Sequence, residues 1–126
     1  MKVNSQYMHT IRFNVVLNGY ESVESILTKF IENPFVAVTY KDLANQVFSF
    51  GRDHGYYGRI FNQTVISIPT LNVVNLAGTA KVTGFCFTPQ DGNSLLSSVA
   101  AAMYAIYGKE YISYMSYFND MLFDEV

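Results

Sequence analysis

The segment from Gly51 to Gly58 carries the residue types best suited to binding an anion that bears a ring. Its three glycines within eight residues disfavour a regular element at the centre, because glycine readily adopts a positive φ. Arg52 and Arg59 could fork onto a phosphate while the neighbouring tyrosines stack on a base. The same sequence also fits a tight turn with solvated arginines, so it indicates an anion site without requiring one.

A second candidate binding segment lies where a predicted strand ends and a predicted helix begins. Phe85 and Phe87 end the strand, and Asp91 and Asn93 precede the helix. A helix N-terminus offers free N–H groups and partial positive charge to a phosphate, and the acid and the amide could hold ribose hydroxyls or base edges. A turn followed by a helix cap has the same pattern. Lys109 follows the helix, as a dipole-favoured cation or a contact for a neighbouring subunit.

Residues suited to acid–base, nucleophilic and metal chemistry are few and scattered. The two histidines, His9 and His54, form no HxxxH or HExxH pair and no paired H-x-[ST] motifs. Asp53 and His54 could act as a base with its orienting carboxylate, but adjacent loop residues usually point apart, which favours a solvated loop histidine. Cys86 lies in an apolar strand and is expected to be a buried small hydrophobe. The sequence therefore predicts no catalytic residue, no metal site and no cofactor.

Composition narrows the class of protein. The 126 residues suit one domain, 1–126, with a core of its own, and the net charge of −2 without a basic run argues against a duplex nucleic-acid binder. One cysteine excludes an internal disulfide, and no apolar stretch is long enough for a signal peptide or a membrane span. We expect a soluble cytoplasmic protein. Ten Tyr and ten Phe beside 14% charged residues predict an aromatic surface that meets a ligand or another subunit.

Hydrophobic periodicity outlines the elements that would position these residues. The period-two pattern from Tyr7 to Leu17 predicts a strand with one buried face, and helical spacing from Val23 to Ile31 predicts an amphipathic helix, with Asn18 as a possible cap. Residues 35–40 and 45–50 resemble a hairpin. Further strands are predicted from Arg59 through the NQTVISI run, at 71–76 and at 80–87, with a turn at Ala-Gly-Thr and Pro69 at a strand end or edge.

The last third of the chain is predicted to be helical. One helix follows Asn93 and ends at Gly108, with an apolar stripe of Leu95, Leu96, Val99, Met103 and Ile106. A second runs from Glu110 to about Leu122, with Ile112, Met115, Phe118 and Leu122 facing inward, although its YISYMSY run could also form a strand. The predicted fold is α+β, a mainly antiparallel sheet with one helix after the first strand and one or two C-terminal helices.

The arginine-bearing glycine loop and the FCFTPQDGN segment together resemble a family of small phage proteins, the Thoeris anti-defence sponges. Members of that family are non-enzymatic and sequester cyclic ADP-ribose isomers in pockets shared between subunits, and some hold cyclic oligonucleotides in a hexamer. The resemblance implies that Phe85 or Phe87 stacks on adenine, beside Asp91 and Asn93. It further implies that Arg52 or Arg59 contacts the ligand.

The resemblance also carries expectations about partners and location. It implies a homo-oligomer, a dimer or a hexamer, in the cytoplasm of a phage-infected bacterium, with a small cyclic nucleotide as ligand. Lys109 is the counterpart of the family's basic residue after the helix, and lysine lacks the bidentate fork of arginine.

Two other classes of function stay open. A protein-binding inhibitor or assembly component would use the same aromatic surplus as anchors and would need no pocket. A hydrolase of nucleotide signals would need an acid–base constellation, which the sequence does not offer. We therefore expect a non-enzymatic binding protein.

Overall fold

The computed structural model describes residues 8–51, 53, 63–89 and 95–126. Across these residues the strands are β1 (Met8–Asn18), β2 (Val36–Thr39), β3 (Thr64–Ser67), β4 (Asn72–Leu76) and β5 (Thr79–Pro89). The α-helices are α1 (Val23–Ile31), α2 (Ala44–Gly51), α3 (Leu95–Tyr107) and α4 (Tyr111–Met115). Short 3₁₀ segments occupy Ile68–Thr70, Gly108–Glu110 and Ser116–Met121. The predicted α+β class is confirmed.

Strand β5 is the centre of the five-stranded sheet. On one side it pairs along its whole length with the antiparallel β1. On the other side β4 pairs with its first half and β3 with its second half, both antiparallel. Strand β2 lies outside β3 and is parallel to it. The sheet is therefore mainly antiparallel, as the sequence predicts.

The turn between β4 and β5 is the one expected at Ala-Gly-Thr. Ala77 and Gly78 both have positive φ, of 51° and 79°. Two consecutive residues of this kind make the hairpin turn whose twist matches that of the flanking strands. Pro69 lies in the 3₁₀ segment directly after β3, which agrees with the prediction of a strand end.

Helix α1 begins at a different cap from the one predicted. Strand β1 continues to Asn18, and Ser22 caps the helix by accepting a hydrogen bond from the N–H of Ser25 at 3.1 Å. The Asn18 prediction is wrong because that residue is still paired in the sheet. Lys29 and the hydroxyl of Ser25 donate to the carboxylate of Glu21, and these hydrogen bonds lower the pKa of that carboxyl.

The sheet has two differently covered faces, and α2 packs on one of them, here called the α2 face. Val47 of α2 is fully buried in a cluster with Val65 and Phe87, to which Met8, Ala37 and Val126 also belong. The hairpin predicted over 35–40 and 45–50 is wrong, since its second half is α2 and β2 pairs with β3. Burial of Val47 in the core outweighs the strand preference of the NQVFSF run.

The opposite face, here called the α1 face, packs against α1. Phe13 of β1 meets Phe30 of the helix edge to face, with ring centroids 6.2 Å apart. An apolar groove of about 370 Å³ lies between α1 and this face. The face is less covered than the sequence predicts, because Ile11 and Val15 stay 43% and 46% exposed.

Cys86 lies within the α1-face core beside Val38 and Ile66, as expected of a small buried hydrophobe. Burial raises the pKa of its thiol, and only the thiolate reacts rapidly with disulfide reagents. We expect Cys86 to resist such a reagent at pH 8 in the native protein and to react at once in denaturant. The reaction is measured by the absorbance of the released thiolate. Fast labelling of the native protein would contradict the core position of Cys86.

The C-terminal segment is helical, which rules out its reading as a strand, and much of its apolar surface is exposed. Leu96 and Met115 are buried, but Ile112 is 67% exposed, so the inward orientation predicted for it is wrong. Ile106, a member of the predicted apolar stripe, is 71% exposed. Within the described parts of the chain, no helix is long and apolar enough to cross a membrane.

The last residues return to the sheet and cover the outer edge of β2. Val38 donates to the carbonyl of Asp124 and accepts from the N–H of Val126, at 3.0 and 2.9 Å. The Gln63 amide braces this segment, since it accepts from the N–H of Phe123 and donates to its carbonyl.

Candidate functional site

Helix α2 covers only part of the α2 face, and the exposed half of that face forms the candidate site. Helix α2 covers the end of the sheet at Met8 and Phe87. Beyond it, the central part of β1, β5 and β4 on that side forms what we call the open face, which consists of Arg12, Asn14, Val16, Lys81, Thr83, Phe85, Asn72 and Val74. Alternation along a strand places them all on one side of the sheet.

Phe85 provides the aromatic surface of the open face. The preceding residue, Gly84, faces α1: a Cβ there would lie 2.8 Å from Cζ of Phe13. Phe85 therefore points to the other side, where 38% of it is exposed. Its N–H donates to the hydroxyl of Thr70 at 2.9 Å, and that hydroxyl donates to the carbonyl of Ser67 at 2.8 Å. These hydrogen bonds fix Phe85 at the point on β5 where its neighbouring strand changes from β4 to β3.

Arg12 is the direct cross-strand partner of Phe85 on β1. Side chains at opposed positions of antiparallel strands have Cβ atoms about 4.5–5.5 Å apart. A guanidinium and a phenyl ring thus stand next to each other on an open surface. Arg12 is exposed and has no ion-pair partner among the described residues.

The charge on the open face is positive. Lys81 lies farther along β5, opposite Val16 and Val74. The three strands that form the face contain no aspartate or glutamate. A cation without a neighbouring carboxylate keeps its full charge available to a bound anion.

A polar row separates the two cations. Asn14, Thr83 and Asn72 are paired across β1, β5 and β4, so their amides and hydroxyl lie side by side. These groups can donate to and accept from sugar hydroxyls and base edges. The open face therefore offers an aromatic ring, two cations and a set of neutral hydrogen-bonding groups.

The structure separates the two phenylalanines named from the sequence. Phe87 is 1% exposed and belongs to the core under α2, so its ring is not available for stacking on a ligand. Lys109 is exposed in the 3₁₀ segment after α3. Four of the candidate residues lie outside the described residues: Arg52, Arg59, Asp91 and Asn93. The same is true of the other polar residues of the glycine loop except Asp53, which is exposed.

Arg12 and Lys81 were missed by the sequence reasoning. Each is a single basic residue on the polar side of an alternating strand, which by itself reads as ordinary solvated surface. The signal that could have found them is register, since pairing β1 with β5 brings Arg12 to Phe85.

Comparison with known proteins assigns no family. No family model matches the chain, and no curated protein matches it. Within the described residues there is also no group of three or more His, Cys, Asp or Glu side chains placed to share a metal ion.

Proposed function

We propose that this protein binds a small phosphate-bearing nucleotide on the open face and holds it without converting it. The observation that carries the proposal is the exposed Phe85 ring with Arg12 as its direct cross-strand neighbour. A base stacks on the ring, and the guanidinium forks onto a phosphate oxygen pair. Lys81 adds a second cation for the same ligand.

The size of the charged surface favours a small ligand over a polymer. Arg12 and Lys81 are the basic residues of the open face, and the whole chain has a net charge of −2. Proteins that hold long nucleic acids neutralise many phosphates. Two cations match a ligand with one or two phosphates.

The chemistry of the face favours retention over turnover. Its side chains are guanidinium, ammonium, amide, hydroxyl, aliphatic and phenyl groups. None of these described groups is a carboxylate or an imidazole that would exchange a proton near neutral pH. Binding without a proton-transferring pair suits sequestration.

The resemblance to Thoeris anti-defence sponges makes a cyclic nucleotide immune signal the first ligand to test. A cyclic ADP-ribose isomer offers both a purine ring for Phe85 and a diphosphate for the cations. Phage counter-defence in the bacterial cytoplasm is the role that this ligand would imply.

A capture experiment tests the proposed function. Purified protein is incubated with cyclic ADP-ribose isomers and cyclic di- and trinucleotides, filtered and then heat-denatured, and both fractions are analysed by mass spectrometry. We expect one nucleotide to be depleted from the filtrate and recovered intact from the denatured protein. A linear product would indicate a hydrolase, and an unchanged filtrate for the whole panel would overturn the proposal.

A second candidate function is binding of a protein partner through the C-terminal helices. Helix α3 has 13 residues without a charge, yet Ile106 is largely exposed, as are Ile112 and Tyr117 nearby in sequence. Exposed apolar residues of this kind are typical of protein interfaces. Loss of partner capture in Ile106→Glu, with nucleotide capture absent in the wild type, would favour this candidate.

A further inference from the structure

Among the residues that the structure describes, nothing pairs with the outer edge of strand β1 along its full length. It forms one side of the sheet and spans Met8–Asn18, 11 residues, in an unbroken register with β5. No hydrogen bond joins the backbone of these residues to anything described other than strand β5. An edge of this length presents a row of N–H and C=O groups that another strand can pair with.

The other edges of the sheet are protected. The C-terminal residues pair with the outer side of β2 through Val38. Strand β4 is five residues long, and very short edge strands resist pairing. Strand β1 has neither protection, and it also lacks proline and lysine and carries a single charge, on Arg12.

We propose that β1 pairs antiparallel with β1 of a second copy of this chain, about a two-fold axis at Asn14. The apolar residues of the α1 face run from Ile11 to Leu17, and Asn14 is their midpoint. This register places Ile11 opposite Leu17 and Phe13 opposite Val15 of the partner. It covers the exposed parts of Ile11 and Val15, and Val15 lines the open groove beside α1.

A second copy fits this edge because the pairing sets apolar residues of the α1 face against each other and brings no like charges together. Arg12 meets Val16 of the partner subunit, so its charge faces no like charge. Asn14 meets Asn14 of the partner subunit, and the two amides can hydrogen-bond to each other. Opposed residues of antiparallel strands share a face, so the two open faces become one continuous surface.

The dimer changes the anion site, and this step rests on the proposed function. Within one chain, Lys81 pairs with Val16, which is four residues from Arg12 along β1. The backbone positions of the two cations are therefore about 14 Å apart. In the dimer Arg12 is separated from Lys81 of the partner subunit only by Val16 of that subunit, two strand spacings or about 9.5 Å. Phe85 and Arg12 of one subunit would thus share a ligand with Lys81 of the other.

Cysteine cross-linking tests the pairing. The Asn14→Cys variant places two thiols opposite each other within reach of a disulfide, so we expect a covalent dimer under mild oxidation. Val16→Cys is the matched control, exposed on the same face but about 14 Å from its own copy in this register. A monomeric mass in light scattering, or equal cross-linking of the two variants, would overturn the proposed pairing.

Subunit complementation tests the shared site, with cyclic ADP-ribose as the probe. A heterodimer of Arg12→Ala and Lys81→Ala chains, co-expressed with two tags, keeps one intact site if the site is shared. We expect wild-type affinity at half the stoichiometry, whereas each homodimeric variant binds weakly. No recovery in the heterodimer would place both cations in one chain. Absence of binding by the wild type would defeat the proposed function and leave the cross-linking result standing.

Discussion

Substitution of Phe85 by alanine is expected to weaken nucleotide binding by about 5- to 140-fold while destabilising the fold less than truncation of a fully buried phenylalanine would. Stacking of a base on an aromatic side chain contributes about 1–3 kcal/mol, which corresponds to this range in affinity. The ring is partly exposed on the open face, so its removal leaves no buried cavity. Isothermal titration with the nucleotide recovered by capture measures the affinity, and thermal unfolding measures the stability.

Two control variants make the Phe85 result specific. Phe85→Leu keeps apolar bulk and strand packing but removes the aromatic face, so it should bind almost as weakly as the alanine variant. Tyr117→Ala removes an exposed aromatic residue of the C-terminal segment and should bind normally. Equal affinity in the wild type and Phe85→Ala would remove this residue, and with it the open face, from the binding site.

Phe87→Ala is expected to have the opposite effect, a loss of about 3–5 kcal/mol in the free energy of unfolding. Phe87 is among the largest fully buried side chains, and its ring packs with Met8, Val47 and Val65 under α2. Truncation leaves a cavity that the surrounding strands and helix cannot fill completely. Urea denaturation followed by circular dichroism measures the change.

The two phenylalanines form a matched pair, because they have the same chemistry and lie two positions apart on the same face of β5. If α2 covers Phe87 and leaves Phe85 exposed, Phe87→Ala should mainly lower stability and Phe85→Ala should mainly weaken binding. A Phe87→Ala protein as stable as the wild type would contradict the packing of α2 on the sheet. Where this variant does not fold, Phe87→Leu should still show a measurable loss of stability.

Local patterns were enough to predict much of the fold. The alternation in β1 and β5, the helical spacing in α1, and the Ala77-Gly78 turn all depend on residues close together in the chain. These elements were predicted correctly to within a few residues, together with the α+β class and the burial of Cys86.

The sequence misled where long-range packing determined the outcome. The NQVFSF run has strand-like residues but forms α2, because Val47 reaches a core built by β1, β3 and β5. Ile106 belongs to the predicted apolar stripe and Ile112 was predicted to face inward, yet what covers a helix depends on its neighbours, and both side chains remain exposed. The spacing of apolar residues along a helix therefore does not predict which of them will be exposed.

The sequence by itself determined that this is a weakly acidic α+β protein, rich in aromatic residues and with few acid–base groups. The resemblance to the sponge family added Phe85 or Phe87 as the residue expected to stack on a base. Only the tertiary structure decided that Phe85 is open, that Phe87 is core, and that Arg12 is the neighbouring cation. The physical reason is strand register. Arg12 and Phe85 lie 73 positions apart in the chain, and they become neighbours only when β1 pairs with β5 and α2 leaves that part of the face uncovered.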